Sequence, residues 1–136
     1  MTNNYFIRRT QYIFSLKAKK MIEIFKSVGV DVTFEQVVGW TRRDEDPEVV
    51  LMEDSVLAAF LNGFIIEKRG KKEGPAPVAE EKLNNNIILR KFRIALDMKD
   101  TDMLEIFRLS HTQISKHELS SFFRKKDHRN WAYCKD

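Results

Sequence analysis

Several residue types are scarce in this sequence, and each shortage excludes a class of protein. Cys134 is the only cysteine among 136 residues, which excludes a disulfide framework and any zinc site built from cysteines. The longest apolar run, residues 56–61, is far shorter than the roughly 20 residues that span a bilayer. The first residues lack the apolar stretch of a secretory signal. We therefore expect a cytoplasmic protein with no membrane partner.

Apolar residues are nevertheless abundant enough to form a folded core. Hydrophobic residues make up 43% of the chain and include ten Phe, which argues against disorder. Glycine and proline are few, and four of them lie between residues 70 and 77. Residues 70–83 are therefore predicted to be an exposed, flexible linker.

The chain matches itself when it is shifted by 82 positions. Glu23-Ile24-Phe25 falls on Glu105-Ile106-Phe107 without a gap, and Arg42 falls on Arg124. Apolar residues fall on apolar residues, and basic residues on basic residues, over about 50 positions. Such self-similarity indicates an internal repeat.

The first two helices of each repeat are predicted from apolar residues at three- and four-residue spacing. We expect first helices over 4–16 and 86–98, and second helices over 18–28 and 101–109. No strand-like alternation bounded by turn residues occurs, so the predicted fold class is all-α.

The third helices have the clearest start signals. Thr33-Phe-Glu-Gln36 and Ser115-Lys-His-Glu118 both match the capping box, a hydroxyl residue followed three positions later by Gln or Glu. A fourth helix is predicted over 55–68, with Asp54 as its N-cap, because Leu, Phe and Ile recur on one helical face.

The predicted architecture is two tandem homologous helical repeats, residues 1–69 and 84–136, joined by the linker at 70–83. A counterpart of the fourth helix would begin at position 137, so the second repeat has three predicted helices and is incomplete. Either the sequence is part of a longer one, or this repeat lacks the helix. In both cases we expect an apolar groove that another chain covers or that stays exposed, and a homo-oligomer is one candidate. Its predicted lining is Leu104, Phe107, Leu119 and Phe123.

Three features of the sequence resemble a known family. They are Asn-x-x-x-Arg at 4–8 and 86–90, FLNGFIIEKRGK at 60–71 and NNNIILRK at 84–91. Together they resemble the YehS-like proteins of bacteria, a two-repeat family carried as a domain of unknown function. The resemblance covers nearly the whole chain and implies a small cytoplasmic bacterial protein with duplicated helical domains. It implies no reaction.

Basic residues are unevenly distributed along the chain. The net charge of +4 lies within residues 84–136, which hold 11 basic and 7 acidic side chains. Basic clusters at equivalent places are typical of anion or nucleic-acid contact, whereas the simpler alternative is a solvated helix face. The candidate contact residues are Arg42, Arg43, Arg90, Lys91, Arg93, Arg124, Lys125 and Lys126.

Asn62-Gly63 interrupts an otherwise apolar helix, where Gly costs about 1 kcal/mol relative to Ala. One explanation is close helix packing over Gly63, with Asn62 bonding a neighbouring backbone group. The other is a polar cleft between the repeats, which Asn84, Asn85 and Asn86 would join.

No catalytic or metal-binding pattern is visible. The three His residues lack ligand spacing, and no phosphate-binding glycine loop or nucleophile elbow occurs. We therefore expect no metal, no cofactor and no enzyme activity. The leading hypothesis is a binding or regulatory protein that acts through helix-face protein contacts. The alternative is weak nucleic-acid binding through the basic clusters of the second repeat.

Overall fold

The computed structural model describes residues 2–75, 77–109, 114–125 and 128–135. Within these ranges every regular element is an α-helix, which confirms the predicted fold class. The chain divides into two compact units, Met1–Leu83 and Asn84–Asp136. Unit 1 contains α1 (Asn3–Ile13), α2 (Ala18–Lys26), α3 (Phe34–Thr41) and α4 (Asp54–Arg69). Unit 2 contains α5 (Asn85–Ala95), α6 (Asp100–Leu109) and α7 (Lys116–Phe122).

The first helix of each unit is shorter than predicted, because the backbone turns left-handed just beyond it. Ser15 and Asp97, 82 residues apart, both have φ of +51°. A helix cannot continue through this conformation, which costs a non-glycine residue about 1–2 kcal/mol. Both helices begin one residue earlier than predicted, at Asn3 and Asn85. Thr2 is the N-cap of α1, and Asn84 is the N-cap of α5.

The third helix of each unit begins with the predicted capping box. In α3 the Gln36 backbone N–H donates to Thr33 Oγ1 (3.1 Å), and the Thr33 N–H donates to Gln36 Oε1 (2.8 Å). In α7 the corresponding distances between Ser115 and Glu118 are 3.0 and 3.2 Å. Each box satisfies two backbone donors that have no partner within the helix.

The start of α4 differs from the prediction. Asp54 is the first helical residue rather than the N-cap, and Glu53 takes the cap position without a side-chain cap bond. The Asp54 carboxylate instead accepts hydrogen bonds from Asn3 Nδ2 (2.7 Å) and the Leu83 N–H (2.8 Å). These two donors, distant in sequence, bind the carboxylate that was predicted to cap α4.

Unit 1 buries its core beneath α4. This helix packs mainly against α2, and its predicted stripe supplies Leu57, Phe60, Leu61 and Phe64 to the interior. The rings of Phe25 and Phe60 lie 5.5 Å apart, and those of Phe14 and Phe64 lie 5.0 Å apart.

Gly63 lies where α4 crosses α2. A Cβ atom added to it would lie 2.8 Å from Ile24 Cγ2 and closer still to the Ile24 carbonyl oxygen. Only glycine therefore permits this approach of the two helices. The close packing predicted at Gly63 is confirmed.

Unit 2 has a smaller core. Its main cluster of buried apolar residues, among the residues described, consists of Met103, Leu119, Phe122 and Cys134. Leu89, Leu104, Phe107 and Phe123 pack against this cluster and stay partly buried.

Candidate functional site

A buried asparagine near the start of α1 ties three parts of unit 1 together. Asn4 Nδ2 donates to the carbonyl oxygens of Trp40 (3.1 Å) and Val50 (2.7 Å). Its Oδ1 accepts from the Met52 N–H (2.9 Å). The side-chain amide of Asn4 therefore provides hydrogen-bond partners for backbone groups at the end of α3 and in the segment before α4. These groups have no partner within a helix.

Asn86 repeats this network in unit 2. Its Nδ2 donates to the oxygens of Phe122 (3.1 Å) and Ala132 (2.7 Å), and its Oδ1 accepts from the Cys134 N–H (2.8 Å). Every partner lies 82 residues after its counterpart, and the matching distances agree within 0.1 Å.

The residues predicted for a cleft between repeats have contacts within their own units. Asn84 caps α5 by accepting from the Ile87 N–H (2.9 Å), and Asn85 Nδ2 donates to the Cys134 oxygen (2.9 Å). Asn86 is occupied as described, and Asn62 and Gly63 are buried in unit 1. The cleft itself stays a prediction.

In unit 1, Arg8 and Arg42 pair with carboxylates of the same unit. Arg8 Nη1 lies 3.3 Å from Asp44 Oδ1 and donates to the Arg42 carbonyl oxygen (3.1 Å). Arg42 pairs with Asp46 (3.2 Å) and Glu48 (3.3 Å). Arg43 is exposed.

The equivalent arginines of unit 2 have no acidic residues at the three corresponding sequence positions. Arg90 Nη2 donates to the Phe123 carbonyl oxygen (3.0 Å), but the sequence places Lys126, His128 and Asn130 at the positions of Asp44, Asp46 and Glu48. The Nε of Arg124 is buried without a hydrogen-bond partner among the described residues.

Three further members of the predicted basic set have distinct surroundings. Arg93 pairs with Asp100 (2.6 Å), and its guanidinium lies 4.7 Å from the centre of the Phe123 ring. Lys91 is partly buried and Lys125 is exposed, whereas Lys126 lies outside the described residues.

The predicted apolar groove requires a correction at Leu119. This side chain is only 1% exposed because it packs with Met103 and Phe122, so it does not line a surface. Leu104, Phe107 and Phe123 are partly buried against the same core cluster.

The exposed apolar side chains of α6 are instead Ile106 and Leu109. They are 52% and 65% exposed and, three residues apart, lie on one side of the helix. We call these two residues the α6 face. Ile24, which lies 82 residues before Ile106, is 1% exposed because α4 covers it.

An ion pair accompanies the contact between α2 and α4. Lys20 Nζ lies 2.6 Å from Glu67 Oε1, and this hydrogen bond raises the pKa of the Lys20 ammonium. The residue 82 positions after Lys20 is Asp102, which has the opposite charge. Its Oδ2 accepts from the Lys99 N–H (3.0 Å) at the start of α6.

The described residues contain no cluster of three side chains able to hold a metal ion. Within the same ranges, no helix has the length and apolarity to cross a bilayer. Cys134 is buried and not in a disulfide.

Two regions of the chain match the model of a known protein family. The family model described as "Protein of unknown function (DUF1456)" matches residues 3–70 and 85–136. A curated relative, "Uncharacterized protein YehS" of Escherichia coli (strain K12), is 36% identical over 137 residues, covering all of this chain and 88% of the relative. No solved structure matches. The chain therefore belongs to the DUF1456 family of proteins of unknown function.

Proposed function

We propose that the protein consists of two homologous helical repeats and binds another protein through the α6 face. The matched networks of Asn4 and Asn86 support the duplication, as do the two capping boxes and the left-handed residues Ser15 and Asp97. Independent origin would not place all three features at the same spacing of 82 residues. The first repeat has four helices and the second has three, among the residues described.

A single observation carries the binding function. The side chain of Ile24 is covered by α4, whereas that of Ile106 at the equivalent position is half exposed. An apolar surface that one repeat buries and the other presents is typical of a protein-binding site. We propose that this role is non-enzymatic and cytoplasmic; a single cysteine, which can form no disulfide within the chain, is in keeping with a reducing compartment.

Site-specific photocrosslinking tests the proposal. A photoreactive phenylalanine analogue at position 106 is expected to capture a partner in bacterial cells. The same analogue at Leu51, an exposed apolar residue of unit 1, is the matched control. The proposal fails if position 106 captures nothing, or the same proteins at the same yield as position 51. Capture of a second copy of the chain would identify a homo-oligomer instead.

A second candidate function is weak nucleic-acid binding. It is favoured by the difference between Arg42, which pairs with Asp46 and Glu48, and Arg124, for which the positions equivalent to those two carboxylates hold His128 and Asn130. Arginines without carboxylate partners bind phosphate oxygens well.

A mobility shift with RNA and DNA at several salt concentrations separates this candidate from nonspecific attraction. Exchange of Arg124, Lys125 and Lys126 for Glu is expected to abolish the shift. Exchange of Arg42 and Arg43 for Glu is the matched control and is expected to leave most of it. Equal loss in both variants, or a shift that does not depend on salt, would contradict the candidate.

A further inference from the structure

We infer that residues 128–135 of unit 2 bind single-stranded nucleic acid, with bases stacked on Trp131 and Tyr133 and phosphates bound by Arg129 and Lys135. We call residues 128–135 the stacking segment. The inference rests on the second candidate function, nucleic-acid binding. It adds the kind of strand that is bound and a set of contact residues outside the basic clusters.

The backbone of the stacking segment is anchored to two helices of unit 2. Asn86 of α5 donates to the Ala132 oxygen (2.7 Å) and accepts from the Cys134 N–H (2.8 Å). The Ala132 N–H donates to the Ser121 oxygen of α7 (3.2 Å). The segment is therefore positioned by the fold before a ligand arrives, which reduces the entropy that binding costs.

Alternate residues of the stacking segment lie toward the core and toward the solvent. Ala132 and Cys134 pack in the core of unit 2. Trp131 is partly buried, whereas Tyr133 and Lys135 are exposed. A period of two residues is that of an extended chain, in which every second side chain lies on the same side. Trp131, Tyr133 and Lys135 therefore share the outer side of the segment.

The two aromatic rings form a pair at this surface. The ring centres of Trp131 and Tyr133 lie 6.2 Å apart, and their planes are inclined by 66°, an edge-to-face arrangement. Tyr133 is 53% exposed, so its ring is accessible to a ligand. Exposed aromatic rings are the surfaces on which unpaired bases stack, because every base has a π face.

Basic residues lie on both sides of the ring pair. Arg129 and Lys135 are exposed, and the stacking segment contains no acidic residue. The His128 N–H donates to the Lys125 oxygen (2.8 Å), so the exposed Lys125 lies next to the start of the segment. Cations beside accessible rings are the combination that binds the phosphates and the bases of one strand.

The equivalent segment of unit 1 has the opposite chemistry. Residues 46–53 have the same asparagine anchor but contain three acidic residues and no basic one. Val49 and Leu51 occupy the positions of Trp131 and Tyr133. Because the anchor is the same in both units, it requires neither the rings nor the positive charge of unit 2. An anionic ligand with planar groups accounts for both differences.

Fluorescence anisotropy with the full chain tests the inference. The probe is a labelled oligothymidylate of about 15 nucleotides, which is long enough for one such site. It is expected to bind at least about fivefold more tightly than its duplex with the complementary strand, in which neighbouring bases cover the π faces.

Substitutions at Tyr133 test the stacking. Tyr133→Ala is expected to weaken binding of the single strand about five- to 150-fold, the effect of losing one stacked base. Tyr133→Phe retains the ring and should retain the affinity. Leu51→Ala, at the equivalent exposed position of unit 1, is the matched control and should leave the affinity unchanged.

Salt dependence separates the rings from the charges. Arg129→Gln and Lys135→Gln should each reduce the slope of log affinity against log salt by about 0.7, the value for one phosphate contact on a single strand. Tyr133→Ala should leave this slope unchanged, since a ring releases no counterion. The three side chains are exposed, so the variants should stay folded, which circular dichroism checks.

Several outcomes would overturn the inference. Equal affinity for the single strand and the duplex would do so, as would unchanged affinity in Tyr133→Ala. Displacement of the oligonucleotide by polyglutamate or by phosphatidylglycerol vesicles at the same charge concentration would identify an acidic protein or a membrane as the ligand instead.

The inference and the candidate function on which it rests fail in different ways. If exchange of Arg124, Lys125 and Lys126 for Glu abolishes binding while Tyr133→Ala does not, nucleic-acid binding stands and the stacking is refuted. If neither the single strand nor the duplex binds even at low salt, both are refuted.

Discussion

Replacement of the buried asparagines tests the most specific contact that the two units share. Asn4→Ala removes three hydrogen bonds, to Trp40, Val50 and Met52. At a net value of about 1 kcal/mol each, the variant should lose roughly 3 kcal/mol of unfolding free energy. Because Asn86 makes the same three bonds at nearly the same distances, Asn86→Ala should lose an equal amount.

The equal loss should have unequal consequences. Unit 1 has 83 residues and unit 2 has 53. At 0.05–0.15 kcal/mol per residue, their stabilities are about 4–12 and 3–8 kcal/mol. Asn4→Ala is therefore expected to leave unit 1 folded at 25 °C. Asn86→Ala should leave unit 2 with about 0–5 kcal/mol, which is closer to its unfolding midpoint than the roughly 1–9 kcal/mol left to unit 1.

Tryptophan fluorescence can follow the two units separately, because Trp40 lies in unit 1 and Trp131 in unit 2. Urea titrations in a Trp131→Phe background report unit 1, and those in a Trp40→Phe background report unit 2. Asn130→Ala, at an exposed position of unit 2, is the control and should change stability by less than about 0.5 kcal/mol. Losses below about 1 kcal/mol in both alanine variants would refute the hydrogen-bond reasoning.

Two further predictions concern α4. Hydrogen bonds from the Asn3 side chain and from the Leu83 N–H lower the pKa of the Asp54 carboxyl in the folded protein. The ionised carboxylate therefore stabilises the fold fully above the unfolded-state pKa of about 3.9. This stabilisation is lost as the pH falls through the lower folded-state pKa. Asp54→Asn should lower the unfolding free energy of unit 1 by about 1 kcal/mol at pH 7 and by progressively less in acid. Urea titrations of the parent and the variant at several pH values measure this difference. A difference that stays constant with pH would contradict the prediction. Gly63→Leu should cost roughly 2–3 kcal/mol of unfolding free energy in the same assay, because the leucine side chain meets the Ile24 main chain. Gly70→Ala should cost about 1 kcal/mol or less, because open space surrounds Gly70 although its φ is +86°. Equal losses in the two variants would argue against the close crossing of α4 and α2 at Gly63.

Local sequence patterns predicted much of the fold. The capping boxes involve neighbours three residues apart, and the stripe of α4 follows helical periodicity, so both are encoded within one segment. The need for glycine at position 63 was predicted from its poor helix propensity in an otherwise apolar helix.

Features that depend on distant partners were missed. No local pattern indicates that Asp54 bonds Asn3 and Leu83 instead of capping α4. The partners of Asn4 and Asn86 lie 36 to 48 residues away, and no sequence pattern indicated these contacts.

The exposed site is another such case. Ile24 and Ile106 have the same helical pattern around them, so periodicity alone predicts the same burial. Their exposure differs because a neighbouring helix covers one and not the other. The sequence predicted an uncovered apolar surface in unit 2. It wrongly placed Leu119 on that surface, because the core of unit 2 buries this side chain.

The buried amides also bear on the order in which each unit folds. Their bonds close chain segments of 36 to 48 residues, whereas the capping boxes and helices form between near neighbours. Closing a long segment costs entropy before any contact compensates for it. Asn4 and Asn86 are therefore expected to acquire their partners after the transition state, so that alanine at either position accelerates unfolding and leaves the folding rate nearly unchanged. The hydrogen bonds of Asn4 and Asn86 would then form last in each unit, between helices that have already packed together.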